Sequence, residues 1–143
     1  MAYKGKFKPA NPNKYKGDVT KIVYRSLWEL KVMRVFDANP NFVMWMSEEL
    51  AIPYYSPIDN KIHNYYPDFL VKMINQKKEI EIIMIEVKPF KQTKEPKIPK
   101  KRTRRFIIEC ATFKINDAKW KAARQYCTEK GWKFTLMTEK DIF

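Results

Sequence analysis

The sequence predicts an α/β domain: a mixed sheet with helices on both faces, built in the order helix, three strands, helix, strand. Three observations predict it. Apolar residues between Asp18 and Asp37 recur at helical spacing and stop at Asn39-Pro40. Ile82-Ile83-Met84-Ile85 is apolar at consecutive positions, as in a central strand covered on both sides. A long crossover containing a helix separates that strand from the last one, which makes the two parallel. At 143 residues the chain has the length of one domain.

Residues 1–17 carry Lys4, Lys6, Lys8, Lys14 and Lys16 among Gly5, Pro9, Pro12 and Gly17, with no acidic residue. They read as an extended basic arm, ordered where it docks. Residues 18–143 form the folded domain. Its first helix spans about Asp18 to Asp37, with Asp18 or Thr20 as its cap. Val23, Leu27, Leu30 and Met33 or Arg34 line one side, and Trp28, Val32 and Phe36 widen it, so the helix lies against a sheet. Phe42 to Ser47 is the first strand. Tyr54 to Lys61, with Pro57 and Asp59-Asn60, reads as a connection, and the second strand falls within Ile62 to Ile74. The polar turn Asn75 to Lys78 joins it, as a hairpin, to the third strand at Glu79 to Lys88.

The composition then shifts. Residues 89–105 hold Lys91, Lys94, Lys97, Lys100, Lys101, Arg102, Arg104 and Arg105 against one acid, Glu95, and Pro89, Pro96 and Pro99 exclude regular structure from the first part. A helix from about Thr103 to Phe113 uses Phe106, Cys110 and Phe113 on one side. Asn116-Asp117 caps a second helix that runs to Lys130 and closes at Gly131. Trp132 to Met137 is the final strand.

A formal charge of +13 calls for a polyanionic partner, and nucleic acid is the common one. One histidine and two cysteines without a C-x-x-C exclude zinc fingers and multi-histidine metallohydrolases, and Cys110 and Cys127 read as reduced thiols. No apolar run approaches the roughly 18 residues of a membrane span, so the expected location is the cytoplasm.

Alternation on the third strand puts Ile80, Ile82, Met84, Glu86 and Lys88 on one face and Ile83, Ile85 and Val87 on the other. The first face is apolar until it ends in a carboxylate and an ammonium, a pair that a core strand gains nothing by burying. An E-x-K alone is common and fits a solvated strand end equally well. Pro67-Asp68 on the preceding strand changes the reading: counted from the turn, Asp68 and Glu86 fall opposite or nearly so. Two carboxylates with waters and a substrate phosphate are how a protein holds magnesium, and a lysine two residues on can position the attacking water.

Pro67-Asp68 followed by Glu86-Val87-Lys88 resembles the PD-(D/E)xK motif of the restriction-endonuclease-like nucleases, and the element order matches their core. The likeness narrows over nearly the whole chain. Met1-Ala2-Tyr3, Tyr24 to Glu29, Trp45 to Glu48, Ile52-Pro53-Tyr54 and Lys119 to Ala123 resemble the head completion nucleases of T-even-type tailed phages. That resemblance implies Mg2+- or Mn2+-dependent cleavage of DNA to a 5′-phosphate and a 3′-hydroxyl. It also implies a role in neck assembly after packaging, with phage head and neck proteins as partners, in the host cytoplasm or on the virion. It further implies that Glu29, on the first helix, approaches the metal held by Asp68 and Glu86. The residues alone leave Glu29 open between that role and an i,i+4 ion pair with Arg25, worth about 0.3–0.5 kcal/mol.

Glu48 supports the metal or ends its strand in solvent, and His63 is one histidine too few for an HNH site. Lys91, Lys94, Lys97 and Lys100 recur every third residue, so a polyproline II chain would align them as a phosphate-tracking stripe. With Lys101, Arg102, Arg104 and Arg105 they are the expected DNA contacts. Against the nuclease stand two other readings: a non-catalytic DNA-binding or neck structural protein on the same fold, and an RNA-binding protein recruited by charge alone.

Overall fold

The computed structural model describes residues 4–143; Met1 to Tyr3, the first part of the expected arm, lie outside the described residues. Eleven labelled elements follow in order: β1 (Gly5–Lys6), β2 (Val23–Tyr24), α1 (Leu27–Ala38), β3 (Phe42–Ser47), β4 (Ile52–Tyr55), β5 (Ile62–Tyr65), β6 (Phe69–Ile74), β7 (Ile80–Val87), α2 (Arg104–Lys130), β8 (Lys133–Met137) and α3 (Glu139–Ile142). The main sheet has the order β3-β6-β7-β8. β6 runs antiparallel to both β3 and β7, and β7 and β8 are parallel. The α2 crossover makes that last pairing possible.

Each face of the sheet has its own helix. On one, Val32, Met33 and Phe36 of α1 pack with Trp45, Phe69, Val71 and Ile85. On the other, Trp120, Ala123 and Cys127 of α2 pack with Leu70 and Met84. Successive β7 residues thus serve opposite cores, which is why Ile82 to Ile85 is apolar without interruption. Each fully buried large apolar side chain here contributes roughly 1.5–3 kcal/mol.

Several expectations are corrected. α1 starts at Leu27, not near Asp18: the Ser26 side chain caps it by accepting the Glu29 N–H, and Asp18 caps only a 3-10 turn over Val19–Lys21. The two helices expected after residue 103 are one helix of 27 residues. It is capped by Thr103 and closed by Gly131 at φ 75°, where a side chain would be strained. Asn116 and Asp117 cap nothing. Asn116 is buried inside the helix, and Asp117 pairs with Lys121 at 2.9 Å. Tyr54 to Lys61 is not a plain connection, because β4 and β5 pair as a hairpin around it, with Tyr54 opposite His63.

The segment before α1 contributes directly to the core. Phe7 and Tyr15 are buried against the Trp45 ring at 5.7 and 4.7 Å. Asp37, buried at the end of α1, accepts the N–H groups of Ala10 and Asn11 at 2.8 and 3.0 Å. Among the described residues no helix is long and apolar enough to cross a membrane.

Candidate active site

The sheet's hydrogen bonding sets the site. Phe69 pairs with Ile85, so one step further in the antiparallel ladder Asp68 stands directly opposite Glu86. The Asp68 Oδ2 accepts the Val87 N–H at 2.8 Å, and the backbone carbonyl of Asp68 accepts the Glu48 N–H at 3.2 Å. Glu86 is 7 % exposed, and its Oε2 accepts the Tyr65 hydroxyl at 2.7 Å. Each carboxylate is therefore held by one oxygen, and the two side chains are within hydrogen-bond reach of each other.

Desolvation, then the neighbouring Glu86 charge, raise the Asp68 pKa well above the ordinary carboxylate range. Glu29, 8 % exposed on the first turn of α1, is also raised, by burial first and then by Glu48; Glu86 adds to it from across the sheet end. Burial and Glu86 likewise raise the Tyr65 pKa, so this phenol stays a donor. Among the described residues no salt bridge reaches Asp68, Glu86 or Glu29. The donor set is thus one of partly desolvated, mutually repelling oxygens without a bonded cation, and it fits a small hard divalent ion.

The other candidate residues sort clearly. Lys88 continues β7 two positions past Glu86, half-buried, with its N–H donated to the Met137 carbonyl at 2.9 Å. Glu29 lies near the Asp68–Glu86 pair without joining it: among the described residues no three histidine, cysteine or acidic side chains are gathered closely enough to hold one ion. The Arg25–Glu29 ion pair does not form, because Arg25 precedes the cap and lies outside the helix. Its guanidinium instead grips Glu48 through Nε and Nη2 at 2.9 and 3.2 Å. Glu48 has φ 53°, a left-handed conformation uncommon for this residue. His63 pairs with Asp59 at 2.6 Å on the exposed hairpin.

All eight cations of the connection and the start of α2 are exposed. The expected polyproline stripe is interrupted at its start. Phe90–Thr93 is a 3-10 turn, tied by Gln92 N–H to the Pro89 carbonyl and by the Thr93 hydroxyl to that of Phe90. The Phe90 N–H is donated to Glu139 Oε1 at 2.8 Å, which anchors the connection to α3 beside the site.

Tyr65 is the residue that the sequence reading missed. It ends β5, and its signal is the alternation Ile52, Tyr54, Ser56 buried against Pro53, Tyr55 exposed, which marks a hairpin feeding into Tyr65-Tyr66-Pro67-Asp68. Lys119 of α2 sits over both hairpin rings, 5.8 Å from Tyr54 and 5.7 Å from Tyr65.

A mixed sheet with this order, an aspartate entering one strand and a Glu-x-Lys leaving its antiparallel neighbour, defines the restriction-endonuclease-like class. The comparisons with known proteins agree. Residues 39–139 match the family model of the TnsA-like endonuclease N terminal, a span that takes in Asp68, Glu86 and Lys88 but not Glu29. Over 99% of its length the chain is 38% identical to the Head completion nuclease of Enterobacteria phage T4, and the match covers 95% of that protein. The chain belongs to this family of nucleases, within the restriction-endonuclease-like superfamily.

Proposed function

We propose that the protein is a metal-dependent DNA endonuclease that acts in phage head completion, at the neck, after DNA packaging. The observation that carries this is the facing of Asp68 and Glu86, each fixed by a hydrogen bond and neither neutralised by a salt bridge. A divalent ion bound there, Mg2+ with Mn2+ as a substitute, would polarise the scissile phosphate and make its water a better nucleophile. Asp68 and Glu86 would hold that ion. The Val87 amide and the Tyr65 hydroxyl keep their carboxylates from turning away. Lys88 follows on the Glu86 face, where its ammonium can hold the attacking water and offset negative charge developing on the phosphate. Glu29 adds negative charge beside the ligands. Lys91, Lys94, Lys97, Lys100, Lys101, Arg102, Arg104 and Arg105 contact phosphates, which gives affinity with little sequence preference. Products with a 5′-phosphate and a 3′-hydroxyl, phage head and neck proteins as partners, and action in the host cytoplasm or on the virion complete the reading. The name of the T4 relative supports the head-completion part of this reading.

Plasmid nicking in Mg2+ or EDTA, with wild type, Asp68→Ala and Lys88→Ala, tests it, alongside a Mn2+ titration followed by thermal shift. The expected result is cleavage by wild type in Mg2+ alone, and a Mn2+-dependent rise in Tm that Asp68→Ala abolishes. Equal cleavage by all three proteins would assign the chemistry elsewhere. DNA binding by wild type without any cleavage would leave a positively charged structural protein.

A further inference from the structure

We infer that the cleft beside this site is built for an unpaired DNA strand, so that the substrate is duplex DNA carrying a single-stranded arm. The inference rests on the nuclease reading and names the substrate of that site. The cleft, about 770 Å³, lies between the start of the connection and the first turns of α2. Phe90, Ile108 and Phe113 give it apolar walls, and Lys91, Lys94 and Lys97 line it with ammonium groups. Of its two acids, Glu109 is paired with Arg105 at 3.0 Å, and Glu95 stands against the three lysines.

Three observations converge. First, α2 overshoots the sheet. Its 27 residues span about 40 Å, and none before Asn116 is buried. Ile107 and Ile108 stay 61 % and 57 % exposed on the overhang, and Ile98 of the connection 77 %. Ile108 lines the cleft itself, and apolar surface left open in such a groove marks a binding face. Second, the surrounding chain is positive: Lys100, Lys101, Arg102 and Arg104, all exposed, lie in sequence between the lining residues Lys97 and Arg105. Third, the cleft starts next to the catalytic end, since Phe90, which lines it, follows Lys88 by two residues. Asn116 lines it, and one helical turn on, Lys119 lies over Tyr65, whose hydroxyl holds Glu86.

The mixture of apolar walls and cations selects between forms of DNA. A duplex presents phosphates and sugars, with its base edges recessed in grooves, and gains nothing from Phe90, Ile108 or Phe113. An unpaired strand offers base faces to aromatic and apolar side chains and phosphates to the cations, which is the combination that single-strand binders use.

The test separates binding from cleavage. Fluorescence anisotropy in EDTA compares a flush duplex with a forked duplex bearing one oligo-dT arm, matched in phosphate number. The fork should bind about tenfold tighter, the effect of stacking roughly one base. Ile108→Gln, uncharged and at an exposed helix position, should bring the ratio close to 1. Ile80→Gln, at a 63 % exposed position at the far end of β7, should preserve it. In Mg2+ the cuts should map to the fork. Equal affinities for the two substrates, or a fork preference that survives Ile108→Gln, would overturn the inference even if both substrates are cut. A fork preference with no cleavage of either substrate would instead overturn the nuclease reading and leave the cleft standing.

Discussion

The catalytic end of the sheet and the basic overhang a few residues away are built on opposite principles. At the first, side chains are held from several directions. Asp68 is tied to Val87 across the ladder, Glu86 is tied to Tyr65, and Glu29 is buried within the first turn of α1. At the second, eight cations and three isoleucines face solvent, on proline-rich chain and on helical turns without a buried residue. Chemistry needs atoms fixed before the substrate arrives, whereas binding to a charged flexible polymer tolerates adjustable long side chains. Substitutions in the first region should therefore change rate and metal binding. Substitutions in the second should change affinity and its salt dependence.

The largest expected break is at Asp68. Asp68→Ala should lower cleavage by at least about 10²–10³-fold, the usual cost of removing one electrostatic stabiliser. The milder Asp68→Asn should raise, not lower, the Tm in EDTA, because it relieves the repulsion that raises the Asp68 pKa while keeping an acceptor for the Val87 N–H. A Tm drop in EDTA together with unchanged nicking would show that Asp68 serves the fold.

Next is Tyr65→Phe, which removes one hydroxyl from a charged acceptor. A hydrogen bond to a charged group is worth about 1.5–3 kcal/mol, so kcat should fall about 10- to 100-fold. KM for DNA should hold, since the Tyr65 hydroxyl is donated to Glu86 in a buried hydrogen bond, and the Mg2+ concentration for half activity should rise. A change in KM alone would place Tyr65 at the DNA instead.

How much of this contrast can be read from the sequence depends on how local its causes are. β3 and the β6–β7 hairpin are legible because alternation and one polar turn determine them, and the facing of Asp68 and Glu86 follows from counting residues out from Asn75. The start of α1 is less legible, because Asp18, Thr20 and Ser26 are all good caps and only packing chooses among them. Ser26-x-x-Glu29 carries the stronger capping pattern, and it is where the helix begins. The unity of α2 is also visible in retrospect. Phe106, Cys110, Phe113, Asn116, Trp120, Ala123 and Cys127 keep one helical phase across the Asn116-Asp117 pair that suggested a break. Tyr65, by contrast, depends on a hairpin whose strand contains Pro53, a residue tolerated only at a sheet edge. The Arg25–Glu48 grip is out of reach of local reading, since it spans 23 residues and requires the chain to turn back beside its own helix.

The overhang gives smaller effects, and the lysines come first. Replacing Lys91, Lys94, Lys97 and Lys100 with alanine should flatten the dependence of log affinity on log salt by up to about 0.9 per lost phosphate contact, or about 3.6 if all four engage. Exposed positions such as these usually change stability by under about 0.5 kcal/mol each. An unchanged slope would detach the connection from DNA binding and leave its charge unexplained.

The smallest effect divides one helix into two regimes. Ile107→Ala lies on the overhang at 61 % exposure, while Ala123 lies at 0 % against the sheet, four turns later on the same helix. Because an exposed isoleucine has little to lose, Ile107→Ala should shift stability by less than about 0.5 kcal/mol by urea denaturation. Ala123→Leu forces added methylenes into a filled core and should cost about 1–3 kcal/mol. Native-state hydrogen exchange should show the same division without any substitution, with faster opening from Arg104 to Ile115 than from Asn116 to Lys130. Uniform protection along α2, or a large cost at Ile107, would mean that the overhang is packed in solution and has no open apolar surface to offer an unpaired strand.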